Sequence, residues 1–166
     1  LGAKKINEIV LENIHWFKNN EVQLIWQTGK LDYARCNESK NILGSWGLIK
    51  PFIRKMGPSL SIADIVVSRA GAIALSEICC LGKTAILVPS PNVAEDHQTK
   101  NALALTENLA ALMVEEKNIE KELFPSIHKL IDNEELKSQI SINSRKMTYI
   151  RAVENIVDQI EYLLDD

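Results

Sequence analysis

Apolar residues between Ala3 and Phe17 fall at Ile6, Ile9, Val10, Ile14 and Phe17, while Glu8, Glu12, Asn13 and Lys18 occupy other faces. That spacing predicts an amphipathic surface helix packed on one side. Val22 to Trp26 then reads as a strand closed by Thr28-Gly29. Asp32 to Gly44 shows no clear period, and a second strand is predicted at Gly47 to Lys50, where Pro51 limits further ladder pairing. Ile65-Val66-Val67, introduced by Asp64, is a short run of β-branched residues that stops at Ser68-Arg69-Ala70-Gly71. A helix from about Ala72 to Leu81 follows, carrying Ile73, Leu75, Ile78 and Cys79, with Gly82 as its C-terminal residue.

Thr84 to Val88 is the next strand, cut off by Pro89 and Pro91 in a loop that reaches Asp96. Asp96 is placed to cap a helix running to about Glu107, and Ala110 to Val114 reads as one more strand. From Ile119 to Leu164 the period is helical throughout, so three helices are expected, with breaks near Asn133 and Thr148. Strands that alternate with helices, each strand a continuous apolar run, predict an α/β fold. Its form is a Rossmann-like parallel sheet with helices on both faces. No repeat, linker or low-complexity stretch interrupts residues 1–166, which predicts one domain.

Composition agrees with a packed globular chain: 166 residues, 46% hydrophobic and 25% charged, are enough to bury one core. The formal charge of -3 gives no general attraction to nucleic acid or to anionic lipid, so an anionic ligand must be held locally. Cys36, Cys79 and Cys80 fit neither a disulfide framework nor zinc-site spacing, which favours a reducing compartment. The first residues have no apolar stretch behind their lysines, as a signal peptide would, and no apolar run approaches the roughly 18 residues of a membrane span. A chain that starts at Leu1, already inside a helical pattern, reads as a piece of a longer protein.

In open parallel sheets ligands bind beyond the carboxyl ends of the strands. Two loops lie there. In Ser68-Arg69-Ala70-Gly71-Ala72 the glycine is expected to allow a tight turn, and the helix behind it aims unpaired N–H groups and a positive dipole end outward, as a phosphate requires. Glu77 lies nearly two turns along, within reach of hydroxyls on an attached sugar. The same pattern also serves a plain βα turn with a surface glutamate. The second loop, Pro89 to Ala102, is long and polar, and Gln98 and Asn101 stand three apart on a helix face, so their amides can point together at a polyhydroxyl ligand. Here too a solvated helix start, with Asp96 capping and His97 exposed, fits the pattern. His15 and His128 fall in amphipathic helices and read as structural, Cys79-Cys80 as core, and Glu115-Glu116-Lys117 as a solvated loop. No metal-ligand cluster and no nucleophile elbow, Walker or dinucleotide glycine motif occurs.

Three stretches carry a family signature: Ser68-Arg69-Ala70-Gly71-Ala72 through Ser76-Glu77-Ile78, then Gly82 through Pro89, then Glu95-Asp96-His97-Gln98 through Asn101-Ala102. Together they closely resemble the carboxyl-terminal half of the MurG family. Its members are bacterial N-acetylglucosaminyltransferases that act on undecaprenyl-pyrophosphoryl-muramyl-pentapeptide. Trp26-Gln27-Thr28-Gly29-Lys30, Pro51-Phe52-Ile53 and Leu1 to Asn7, similar to the tail of a glycine-rich loop, extend the likeness over nearly the whole chain. The resemblance implies the two-domain GT-B architecture, with residues 1–166 as the C-terminal domain that holds UDP-N-acetylglucosamine. Ile53 would meet uracil through its backbone, and Gly71, Ala72, Ile73, Ala74, Leu75 and Ser76 would line the diphosphate and sugar. Glu77 would accept from both ribose hydroxyls, Gln98 with Asn101 would hold the N-acetylglucosamine, and His97 would be a polar neighbour; Arg69 and Asp96 are further candidates.

The resemblance further implies inverting, metal-independent transfer for peptidoglycan synthesis, with no cofactor, by a cytoplasmic enzyme peripheral on the inner face of the bacterial membrane. The N-terminal acceptor domain, with its general base and its membrane contact, has no counterpart in this chain, which would therefore be inactive alone. The loop serine expected at the α-phosphate would precede Leu1, and at Ala74, where some relatives carry a hydroxyl residue, only the backbone N–H can donate. Two rival readings remain open: the donor domain of another GT-B glycosyltransferase, or a non-catalytic nucleotide-binding or interaction module.

Overall fold

The computed structural model describes residues 3–91 and 96–148. The predicted third C-terminal helix, the Leu1-Gly2 portion of the glycine-rich tail and Asn92 to Glu95 of the second loop lie outside the described residues. The N-terminal stripe forms two helices, α1 (Lys4–Glu12) and α2 (Ile14–Asn19), separated at Asn13. They are followed by β1 (Leu24–Gln27), α3 (Gly29–Asn37), α4 (Lys40–Leu43), β2 (Gly47–Lys50) and α5 (Met56–Ile62). The second half runs β3 (Ile65–Ser68), α6 (Ala72–Cys80), β4 (Thr84–Leu87), α7 (His97–Thr106), β5 (Leu112–Met113), α8 (Ile119–Asp132) and α9 (Glu134–Lys146).

All pairings are parallel, but the ladder is in two pieces, β1-β2 and β3-β4-β5. β4 shows how both faces are covered. Its side chains alternate between two cores: Ile86 and Val88 pack with Ile6, Ile9, Leu123 and Leu130, whereas Ala85 and Leu87 pack with Leu75, Ile78, Ala102 and Leu105. The first core also takes in Trp26 of β1 and Ile49 of β2, so one apolar layer runs beneath both ladders. Each such buried aliphatic side chain stabilises the fold by roughly 1.5–3 kcal/mol.

The βα unit that carries the first candidate loop is fixed at both ends. Leu75, Ile78 and Cys79 bury one face of α6. At its far end Gly82 has φ +59, the Gly82 N–H bonds the Cys79 carbonyl at 2.9 Å and the Lys83 N–H bonds the Ile78 carbonyl at 2.9 Å. That is the Schellman pattern, for which a left-handed glycine is suited. Cys80, by contrast, is exposed, so only Cys79 of the pair belongs to the core. His128 is structural as expected: its Nε2 accepts from the Trp16 indole N–H at 3.1 Å, beside Phe17 and Phe124.

Cys36 is fully buried, and burial first, then the Asp32 carboxylate, push its thiol from the ordinary 9 to about 11. The stability tied to its protonated form is complete below pH 9 and is lost as pH rises through about 11. Urea unfolding across that window should show falling stability. A Cys36→Ala chain, though less stable from lost packing, should show a flatter dependence; an unchanged slope would remove Cys36 as the cause.

Candidate functional site

The first loop lies where the carboxyl ends of β3 and β4 meet. Ser68 pairs with Leu87, and the Val88 N–H continues the contact to the Ser68 carbonyl at 2.8 Å. Gly71 is the N-cap of α6 with φ -74 and ψ 142, an extended conformation open to any residue. The expectation that its glycine serves a tight turn is therefore corrected. What distinguishes the position is space, since a Cβ there would meet nothing within 4 Å. The Leu75 N–H is bonded to the Gly71 carbonyl at 3.0 Å, so the N–H groups of Ala72, Ile73 and Ala74 precede the first intrahelical donor and remain available. Ala72 and Ile73 are exposed, Ile73 at 80%, and Ala74 is half-buried. Leu75 points into the core and can offer a ligand only backbone. Ser76 donates its hydroxyl to the Ala72 carbonyl at 3.0 Å, and Glu77 is exposed, with no ion pair to it among the described residues.

Helix α7 ties the two loops together. Asn101 Nδ2 donates to the Ala70 carbonyl at 3.1 Å, one residue before Gly71. The Ser90 N–H donates to Gln98 Oε1 at 2.9 Å. Each amide thus commits one end to a loop backbone, which leaves Asn101 Oδ1 and Gln98 Nε2 outside these bonds and fixes their orientation. Asp96 sits at the N-cap, but with φ 54 and without a side-chain bond to the helix backbone; its Oδ1 accepts from the Thr99 hydroxyl at 2.6 Å instead. His97 is exposed beside it.

Arg69 turns inward. Its guanidinium donates to the Val88 and Pro89 carbonyls at 3.1 and 3.3 Å and pairs with the Glu116 carboxylate. Its Nη1 and Nη2 thereby join the two loops, while the buried Nε has no hydrogen-bond partner among the described residues, and Glu116 is a half-buried partner of this contact where a solvated residue was expected. Glu115 and Lys117, which pair with each other, are exposed as expected. Ile53 follows β2, in the other ladder, and its N–H donates to Gln27 Oε1 at 2.8 Å.

A model of the glycosyltransferase family 28 C-terminal domain matches residues 1–159. The chain belongs to this family. The UDP-N-acetylglucosamine-N-acetylmuramyl-(pentapeptide) pyrophosphoryl-undecaprenol N-acetylglucosamine transferase of Parabacteroides distasonis is 42% identical over 168 residues, 99% of this chain and 45% of that protein. The enzyme of the same name from Christiangramia forsetii is 39% identical over 100% of this chain and 44% of its own length. The crystal structure of Acinetobacter baumannii MurG superposes with a TM-score of 0.79 at 26% identity, over 98% of this chain and 49% of that one. The chain thus spans just under half the length of the curated relatives it matches. Its α/β fold, with parallel strands and helices, is that of a MurG half.

Against this family 28 background, an open crevice of about 670 Å³ lies between α1, the β4 and β5 ends and α7, lined by Lys5, Pro89, Pro91, Thr99 and Glu116 among others. Of the site residues expected from sequence it contains Asp96 alone. Its cations are committed: Lys5 pairs with Glu120 at 2.7 Å, which raises the Lys5 pKa and lowers that of Glu120, and Lys117 pairs with Glu115. The N–H groups of Ala72, Ile73 and Ala74 at the open end of α6 lie outside this crevice. Among the described residues no group of three or more His, Cys, Asp or Glu could hold a metal ion, and no helix is long and apolar enough to cross a membrane. Gln27, Glu116 and the buried Asn7 were not assigned roles from sequence. A polar residue inside the Ile6-Ile9-Val10 stripe was the one available sign of Asn7.

Proposed function

We propose that this family 28 domain binds UDP-N-acetylglucosamine. In the intact enzyme it would position that donor for inverting transfer to undecaprenyl-pyrophosphoryl-muramyl-pentapeptide in peptidoglycan synthesis. The names of its relatives support this reading, and one observation in the fold carries it. Asn101 of α7 holds the Ala70 carbonyl at the entrance to α6, so the anion-binding helix end and the polar face of α7 form one rigid unit.

In this reading the diphosphate lies over Gly71 and the N–H groups of Ala72, Ile73 and Ala74, where the helix end favours negative charge. Glu77 accepts from the ribose hydroxyls, and Gln98 Nε2 with Asn101 Oδ1 meets the N-acetylglucosamine, beside His97. As the C4 hydroxyl of the muramyl sugar attacks the anomeric carbon, the bond to the β-phosphate oxygen breaks and UDP leaves with the bonding electrons. The charge that builds on the diphosphate is the charge that the α6 donors are aimed at. The acceptor site, the general base and the contact with the inner face of the membrane belong to the other half of the enzyme, so this chain alone binds donor without turning it over.

Calorimetric titration with UDP, UDP-glucose and UDP-N-acetylglucosamine tests the site. Glu77→Ala should weaken all three by roughly 10- to 100-fold, the loss expected for hydrogen bonds to a charged acceptor. Gln98→Ala should weaken only the two sugar nucleotides. Indifference to both changes in a chain that binds UDP would overturn the assignment. Transfer to the lipid acceptor by a chain extended to the relatives' length tests the reaction.

A further inference from the structure

We propose that the space between β1 and β3 is a strand-accepting slot, in which this chain takes up one extended apolar segment of a second polypeptide, parallel to both edges. The occupant is the stretch that precedes the family 28 domain in its full-length relatives, supplied in trans. Neither the slot nor its occupant depends on the donor-binding reading above. In a parallel ladder the N–H and C=O of one residue point to the same side and those of the next residue to the other. The Val88 N–H donates to the Ser68 carbonyl, so Ser68 and Val66 face β4 and leave the backbone groups of Ile65 and Val67 on the opposite edge. The Thr28 N–H donates to the Lys50 carbonyl, so Thr28 and Trp26 face β2 and leave those of Ile25 and Gln27 on the other edge of β1. No hydrogen bond among the described residues takes up these backbone groups, although Ile25, Ile65 and Val67 are half-buried. An unpaired backbone edge partly shut off from water is costly until another strand covers it.

Helix α1 places the two edges opposite each other. Its Asn7 bonds the Trp26 indole and the Thr28 carbonyl on the β1 side, and its Lys5 pairs with Glu120 of α8, the helix that packs on β4. α1 thus spans the interval between the ladders, with Ile6, Ile9 and Val10 in the apolar layer beneath it. β2 lies on the outer side, against α4, whose Leu43 stands over Gly47. The order is then β2, β1, slot, β3, β4, β5. In a doubly wound sheet that central place belongs to the first strand of the unit, which a crossover helix joins to its neighbour. Floor and walls stand here without that strand, so an occupant can pair without being part of the same chain. Its chemistry is set by β3, which turns Ile65 and Val67 to the α1 side and Val66 to the α6 side. A strand beside it meets apolar surface on both faces, which calls for a continuous β-branched run of about five residues. More than half of each full-length relative lies outside its match to this chain and is the source of such a segment.

A synthetic peptide tests the slot. It carries about ten residues taken from immediately before the matched stretch of the Parabacteroides distasonis relative, with lysines added at its amino end for solubility. Calorimetry should show saturable binding of one peptide per chain, and hydrogen exchange at the Ile25, Gln27, Ile65 and Val67 amides should slow by about tenfold or more. The same peptide N-methylated at alternate residues keeps its apolar side chains but lacks the donors for one edge, and should bind at least about tenfold more weakly. Val67→Pro removes a slot-facing N–H that β4 does not use, and should weaken the peptide by a similar factor. A chain extended to the relatives' length fills the slot with its own strand and should not take up the peptide. The slot is overturned by any of four results: no saturable binding to a chain whose β4 amides are protected, binding that leaves the slot-facing amides exchanging as before, equal binding of the N-methylated peptide, or equal binding by the extended chain. Dimerisation that protects the same amides without peptide would make a second copy the occupant and overturn the one proposed.

Discussion

Replacing Gly71 by aspartate should leave the domain as stable as wild type, or more stable by about 0.5 kcal/mol, and reduce its affinity for UDP by at least roughly 100-fold. The two effects come from the same side chain. Gly71 is the N-cap of α6 in an ordinary extended conformation, with nothing within 4 Å of an added Cβ, so aspartate enters without strain. Its carboxylate can accept from an N–H of the first turn and favours the positive end of the helix, which is why aspartate is a better N-cap than glycine. The same carboxylate would occupy the space and use the donors proposed for the diphosphate, and it would repel that anion at short range. Gly71→Asn separates the terms, since it caps similarly without charge and should lose considerably less affinity. Urea unfolding and calorimetry on the three chains provide both readings. Retained UDP binding in Gly71→Asp would remove the α6 end from the donor site.

The loops that hold this site were legible because their sequence signals are local. The β-branched run Ile65 to Val67, the break at Ala70-Gly71 and the Pro89/Pro91 stop each report on a few neighbouring residues, and β2 forms at Gly47–Lys50 as the pattern predicts. Helices α3 and α5 were not legible. In α3 only Cys36 is buried while Leu31 is fully exposed, so no apolar stripe marks it, and α5 carries Gly57 and Pro58, which discourage a helix reading although proline is tolerated in a first turn. The break between α1 and α2 was hidden because Ile14 and Phe17 continue the apolar stripe across Asn13. Least legible were the polar partnerships of the site. Arg69 reaches Val88, Pro89 and Glu116, and Gln27 reaches Ile53, across 19 to 47 residues of sequence. Periodicity carries no information on such contacts. They decide which groups are taken up within the fold: Arg69 Nη1 and Nη2 are, and so is the Ile53 N–H.

Asn7→Ala should destabilise the domain by about 2–3 kcal/mol, more than a helix substitution to alanine ordinarily costs, because it breaks a buried hub. Asn7 is 1% exposed. Its Oδ1 accepts from the Trp26 indole N–H at 3.0 Å, and its Nδ2 donates to the Thr28 carbonyl at 2.9 Å and to Asp32 at 2.8 Å. Alanine would leave a buried indole N–H and the Thr28 carbonyl without a partner. It would also loosen Thr28, which follows β1. Asn7→Asp gives a sharper test, since it keeps the acceptor for Trp26 but sets a second carboxyl against Asp32. Burial and that like charge would raise the folded-state pKa of the new carboxyl. Its favourable, protonated form is then complete below the unfolded carboxyl value and is lost as pH rises through the folded one. Asn7→Asp should accordingly lie well below wild type at neutral pH and recover part of the gap on acidification, whereas Asn7→Ala should show no such recovery. Urea unfolding at neutral and mildly acidic pH distinguishes these outcomes. An Asn7→Ala chain within about 0.5 kcal/mol of wild type would mean that water replaces the amide and that the β1 end is held by the ladder alone.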